Sequence, residues 1–252
     1  MSHQPTASEF QRDGFVIVRS LLDPSELAEL DRQINRYIEE VLPSVPRIHK
    51  IYESGWSGPL KHFSRLEQYD DFFQQLFGRP ATLEIVEACL GHPVEPVTSE
   101  VFYKPAGVGT PAALHQDNAY FNYLAPYGLV VWIALDEVTL ENGAIHFTRG
   151  SHGLGNLPHA HTGNPLFGRA ISEAPDPTQY PEVPALLNPG DATLHHFLTA
   201  HRSGPNRTDR NRRGYVMNYK AIDAQFDERA HAKQEAYKER VHKESGAMVA
   251  DG

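Results

Sequence analysis

His115-Gln116-Asp117 is the stretch on which the reading of this chain turns, together with its distant counterpart His201-Arg202-Ser203-Gly204-Pro205-Asn206 and the basic pair Arg212-Arg213. Strand side chains repeat every second position, so a strand through this stretch puts His115 and Asp117 on one face. A histidine from a remote strand then completes a set of two imidazoles and one carboxylate. Such a set leaves coordination positions open and suits ferrous iron. The same parity separates Arg212 from Arg213, because only one of two strand neighbours can point inward. A guanidinium so placed grips a carboxylate through two parallel hydrogen bonds. Iron with an anionic keto-acid is the chemistry these residue types suggest.

Around these motifs the chain is β-prone. Val94 to Tyr103, Leu129 to Val138, Ala144 to Thr148, Ala192 to Phe197 and Gly214 to Ala221 are short runs divided by Gly and Pro. Their spacing predicts a β sandwich or barrel. The first third has a helical pattern instead. Thr6-Ala7-Ser8-Glu9 reads as a capping box for a short helix that stops at Gly14, ahead of a short β-rich run from Phe15 to Val18. Asp23-Pro24 supplies an N-cap and a first-turn proline for a long helix, whose stripe of Leu27, Leu30, Ile34, Ile38 and Val41 is core packing. Residues 43–60 read as a loop, and two more helices are predicted around 67–77 and 81–90, the second closed by Gly91. The segment 149–190 is rich in Gly, Pro and His and too long for an ordinary connection, which predicts a functional loop or lid. A charged tail, about 223–243, predicts a solvated helix. No repeat or linker divides the chain, so 1–252 is read as a single domain with its core at about 10–222.

Composition narrows the partners. With 252 residues the chain can enclose a substantial core and a pocket. A formal net charge of −9 argues against nucleic acid, and it disfavours a polyanionic acyl-CoA unless a local basic pocket overrides it. Cys89 is the only cysteine, so no intrachain disulfide forms; it reads as a small buried residue in a helix. No apolar run of membrane-spanning length and no secretory-type start are seen, so a cytoplasmic location is expected. Oligomeric state is not legible.

The ordered motifs resemble the phytanoyl-CoA dioxygenase family of Fe(II)/2-oxoglutarate oxygenases. The resemblance rests on Asp13-Gly14-Phe15-Val16-Ile17-Val18, His115-Gln116-Asp117, Glu141-Asn142-Gly143-Ala144, Gly150-Ser151-His152, Pro189-Gly190-Asp191, the His201 to Asn206 run, and Arg212, spread over residues 10 to 220. It implies a mainly β fold with flanking helices, the double-stranded β-helix of jelly-roll or cupin-like barrels. It also implies that His115, Asp117 and His201 hold Fe(II), with O2 and 2-oxoglutarate as co-substrates. His195 and His196 lie near the same strand. His201 is preferred as third ligand because Ser203 to Asn206 follow it as in the family and Arg212 then falls at the family offset. By the same resemblance Arg212 anchors the C5 carboxylate of 2-oxoglutarate, Ser203 assists it, and Trp132 and Gln116 line the co-substrate, with Lys61 and Tyr103 as weaker candidates. Halogenating relatives replace the carboxylate ligand by a small residue; Asp117 is present, which implies oxygenation of a small-molecule carbon with release of succinate and CO2. Tyr120, Phe121, Tyr123 and Tyr127 are candidates for an aromatic substrate wall.

Two readings of other classes compete. A zinc hydrolase can use two histidines and one carboxylate, but it has no need of a co-substrate arginine. A non-catalytic binding barrel would tolerate a closed pocket or a degraded ligand set.

Overall fold

The computed structural model describes residues 7–53, 58–162, 168–233 and 236. Its helical layer begins as the capping residues dictate. The Asp23 carboxylate accepts from the N–H groups of Ser25 and Glu26, Glu26 accepts from the Asp23 N–H, and Pro24 opens the helix. The helices are α1 (Ala7–Asp13), α2 (Pro24–Arg36), α3 (Asp71–Phe77), α4 (Pro80–Leu90) and α5 (Asn118–Phe121). A π-helical turn, Tyr37–Val41, prolongs α2. Gly91 closes α4 at φ +78°, the left-handed C-cap that favours glycine. Cys89 is buried in α4, and burial pushes its thiol up to about 11.

The strands are β1 (Phe15–Val18), β2 (Lys50–Tyr52), β3 (Leu60–Ser64), β4 (Val94–Lys104), β5 (Ala112–His115), β6 (Gly128–Ala134), β7 (Ile145–Thr148), β8 (His159–His161), β9 (Arg169–Ile171), β10 (Glu182–Pro184), β11 (Ala192–His196), β12 (His201–Ser203) and β13 (Arg212–Ala221). A seven-stranded antiparallel sheet runs β1-β11-β6-β13-β4-β3-β2, and a four-stranded sheet runs β10-β7-β12-β5. The two sheets face each other as a double-stranded β-helix. Their edges are not hydrogen-bonded into a closed barrel; packing between the inner faces joins them.

Strand parity builds two cores. Outward residues of the large sheet, such as Val101, Leu129, Val131, Leu194, Tyr215 and Met217, pack with Leu30, Ile34, Phe73 and Val86 of the helices. Inward residues, such as Val130, Trp132 and Val216, meet Ile145 and Phe147 of the small sheet. Polar side chains lock the connections. Asp191 accepts from the Ser20 and Asn188 N–H groups, and Asn206 donates to the carbonyls of Lys104 and Arg210.

Several expectations need correction. The strand expected over Leu129 to Val138 ends at Ala134, and the loop expected over 43–60 contains β2. The segment 149–190 carries β8 and β9, which pair with each other, and β10, which pairs with β7, so short stretches of it are strand and not loop. Thr6, and the tail beyond 233 apart from residue 236, lie outside the described residues; 228–233 are helical.

Candidate metal and co-substrate site

His115 ends β5 and His201 begins β12, and the two are direct cross-strand partners. Cross-strand neighbours on one face approach closely, and here the ring centroids are 4.3 Å apart. Asp117 arrives differently from the strand-parity expectation. β5 stops at His115, and Asp117 has right-handed helical backbone angles immediately ahead of α5. A tight turn, not the pleat, therefore presents its carboxylate. Oδ1 lies 3.6 Å from His115 Nε2 and 3.8 Å from His201 Nε2. One ligand atom from each of these residues falls within 4.8 Å of the others, a spacing that accommodates a single metal ion.

The protonation pattern suits a cation. His115 Nδ1 donates to the Ala113 carbonyl at 2.8 Å, and His201 Nδ1 donates to the Thr199 carbonyl at 2.9 Å. Each ring so carries its proton on Nδ1 and turns the Nε2 lone pair toward Asp117, as histidine ligands do. Burial, with the charge of His201 adding to it, pushes His115 down to about 4, and burial lowers His201 as well. For Asp117 burial acts upward, but His201 and His195 outweigh it and hold the carboxyl well below the usual range. Neutral imidazoles beside an ionised carboxylate are the state a divalent cation requires.

His195 was missed as a site residue. Its Nε2 donates to Asp117 Oδ2 at 3.0 Å, so the second carboxylate oxygen is held while Oδ1 faces the histidines. Parity along β11 could have revealed it: Thr193 and His195 pair with Trp132 and Val130 on the inner face. His196 points the other way, its ring beside those of Phe10, His152 and Tyr127.

A cavity of about 340 Å³ holds this cluster together with Arg212, Ser203, Trp132, Lys61 and Tyr103. Arg212 is 3% exposed, its Nη2 donates to the Gly143 carbonyl at 3.0 Å, and its Nε has no partner. Among the described residues no carboxylate pairs with it, and burial pushes the guanidinium down to about 10. A buried cation left without a counter-ion calls for an anion from outside. Its Cζ sits 5.2 Å from the centre of the Trp132 ring. Gly214 makes that ring's position possible, since a Cβ there would lie 2.1 Å from Trp132 Cζ2. Gly143, at φ +89°, lies so close to Gly204 and Lys104 that a side chain would collide with both. Arg213 faces outward and pairs with Asp136 and Asp31 at 2.8 and 2.6 Å.

Lys104 is a second cation the sequence did not flag. It is the cross-strand partner of Arg212, its Nζ donates to the Thr110 carbonyl at 2.7 Å, and burial beside Arg212 pushes it down to about 6. Lys61 lines the same cavity but is paired with Glu53 at 3.3 Å and bonded to Thr110. Tyr103 borders the cavity while its ring packs beside Phe63.

Gln116 does not do what was expected of it. It is fully buried and outside the cavity lining, donating to the carbonyls of Gly155 and Leu198 and accepting from the Leu157 N–H. With its neighbours turned inward, its side chain faces the opposite way and braces the ligand turn against the 149–190 segment. Of the four aromatics, Tyr120 and Phe121 line the cavity. Tyr123 stacks near Phe197, and Tyr127 packs against His196.

Residues 10–214 match the Phytanoyl-CoA dioxygenase (PhyH) family. A probable alpha-ketoglutarate-dependent hypophosphite dioxygenase of Stutzerimonas stutzeri is 30% identical over 86% of this chain and 78% of its own length. The epimerase SnoN, solved with Fe3+, alpha ketoglutarate and nogalamycin RO, is 27% identical with a TM-score of 0.70, covering 87% of this chain and 84% of its own. EvdO2 of Micromonospora carbonacea var. aurantiaca, solved with 2-oxoglutarate, is 26% identical with a TM-score of 0.70, covering 90% and 96%. No helix among the described residues is long and apolar enough to cross a membrane. The family match over most of the chain, joined to a donor set and an unpaired buried arginine in one cavity, identifies the chain as a member of the phytanoyl-CoA dioxygenase family and an Fe(II)/2-oxoglutarate-dependent dioxygenase.

Proposed function

We propose that the chain, acting as one catalytic domain, hydroxylates an unactivated carbon of a small or mid-sized metabolite. In this reading His115, Asp117 and His201 hold the iron and Arg212 holds the distal carboxylate of 2-oxoglutarate. The observation that carries it is the unpaired Arg212 guanidinium in the same cavity as the converging Nε2 and Oδ1 atoms. When bound, iron and co-substrate supply the oxidising power, and the keto-acid leaves as succinate and CO2. The chain's own work is positioning. The Ala113 and Thr199 carbonyls fix the histidine tautomers, and His195 holds the spare oxygen of Asp117. Trp132 packs beside the Arg212 guanidinium, and Ser203, Tyr120 and Phe121 line the same cavity.

The printed names of relatives range from hypophosphite to phytanoyl-CoA, so membership alone leaves the substrate open. The net charge of −9 and apolar wall residues such as Phe102, Phe121, Val130 and Ile145 favour a metabolite with an apolar body over an acyl-CoA thioester. Of the basic wall residues, Lys61 and Arg202 are already paired with Glu53 and Glu182. Succinate release should be measured against acyl-CoAs, amino-acid derivatives and polycyclic metabolites. Turnover of a thioester with none of its free acid overturns the substrate preference, and iron retention by His201→Ala overturns the ligand set. A zinc hydrolase would cleave substrate without consuming 2-oxoglutarate.

A further inference from the structure

Away from Arg212 the cavity wall carries a carboxylate other than Asp117. Glu100 on β4 and Asn218 on β13 both line the cavity beside Val216, the cross-strand partner of Glu100 and of Trp132. Asn218 Nδ2 donates to Glu100 Oε1 at 2.8 Å, and His62 Nε2 donates to Oε2 at 2.7 Å. The carboxylate is thus clamped in one orientation from both sides. Its side chain is 15% exposed, and the cavity is the space it borders.

A carboxylate has about four acceptor positions on its two oxygens, and the protein fills one on each. Among the described residues no lysine or arginine pairs with Glu100. The remaining positions face a cavity whose wall includes the apolar side chains of Phe102, Phe121 and Val130. A purely apolar occupant would strip water from a charged group and return nothing, a costly exchange. An occupant with an N–H or O–H would replace that water. Register sets the span: Asn218 and His195 both pair with Val130, so they lie two strand spacings apart, roughly 10 Å. His195 is the residue bonded to Asp117.

We propose that Glu100, clamped by His62 and Asn218, is the recognition point for a hydrogen-bond donor on the substrate, a hydroxyl or an ammonium, several bonds from the oxidised carbon. The proposal rests on the oxygenase reading for which carbon reacts, and it narrows the substrate to an apolar body bearing one donor.

The test uses binding to the full-length, metal-free protein, so it does not depend on turnover. Ligand-detected NMR titrations compare cyclohexylmethanol, cyclohexylmethylammonium and cyclohexylmethyl methyl ether, which share an apolar body. At least one donor probe should bind tenfold or more tightly than the ether, and Glu100→Ala should bring it to the ether's level. Glu100→Gln keeps an acceptor of the same shape; it retains most of the preference for a hydroxyl and loses that for an ammonium, which separates the two donors. Both variants are checked for an unchanged melting transition. Failure of both donor probes to outbind the ether tenfold, or a preference that survives Glu100→Ala, overturns the proposal. Donor preference in a protein that binds neither iron nor 2-oxoglutarate would sink the proposed ligand and Arg212 roles and leave this subsite standing.

Discussion

The two faces of the seven-stranded sheet come from the same strands and serve opposite ends. On β13, Tyr215, Met217 and Tyr219 turn outward into the helical core, while Arg212, Val216 and Asn218 turn inward to the cavity. On β11, Leu194 goes out and His195 goes in. The outer face buries apolar area with few polar atoms left over, which is what stabilises a fold. The inner face keeps an unpaired guanidinium and a lysine pushed toward neutrality, and across a confined space it meets the ionised Asp117 from the turn after β5. The two basic groups cost stability until an anion arrives, whereas Asp117 is already held ionised by His201 and His195. Alternation by one residue separates what holds the protein together from what makes it reactive.

The largest expected effect tests the cavity that this inner face shares with the small sheet, to which β12 and His201 belong. His201→Ala should abolish stoichiometric iron binding and succinate release, whereas His196→Ala, on the outer side of β11, should keep both. Metal analysis of the purified variants decides it, and the reverse order would break the comparison.

Next comes the arginine pair. Arg212→Ala should weaken 2-oxoglutarate by on the order of 2–5 kcal/mol, because the partner carboxylate is left unpaired in a closed site. Arg213→Ala should instead lower the melting temperature with little effect on the apparent KM, since it ties α2 to the sheet through Asp31 and Asp136.

On the outer face, Leu194→Ala should cost about 3 kcal/mol of stability. Leu194 is 1% exposed within the helical core. Iron affinity should persist, as read by denaturant unfolding beside a metal titration. Loss of iron from a folded Leu194→Ala protein would show that the faces are not independent.

The smallest effect concerns Lys104. Burial lowers it from 10.5 to about 6, so between those values the unfolded chain holds a proton that the folded one releases. Its stability contribution is therefore full above pH 10.5 and is lost as pH falls toward 6. Lys104→Met should flatten that slope and stabilise the unliganded protein at neutral pH by about 1–2 kcal/mol. An anion beside Lys104 favours the protonated form, so 2-oxoglutarate binding should take up a proton and weaken as pH rises above about 6, a trend absent from the variant. Calorimetry in buffers of different ionisation enthalpy reads that uptake directly.

Much of this is legible in the chain itself. The Asp23 N-cap, the Gly91 stop, six of the strands and the ordered series from His115 to Arg212 depend on short-range spacing, which is written in the chain. Parity allowed only one of Arg212 and Arg213 to point inward, and the family offset from His201 selected Arg212. The same rule misjudged the ligand turn, since nothing local announces that β5 ends at His115 and that Gln116 turns away to brace distant carbonyls.

By itself, then, the sequence determined the residue types, the two periodicities and the order of the motifs. Tertiary structure alone decided which polar groups share one low-dielectric space. His195 meets Asp117 across 78 positions, Lys104 meets Arg212 across antiparallel strands, and Glu100 meets His62 and Asn218 from two neighbouring strands. Those encounters depend on sheet register and on facing distance. Burial then changes the charge each group can carry, and no pattern along one strand encodes what lies opposite it.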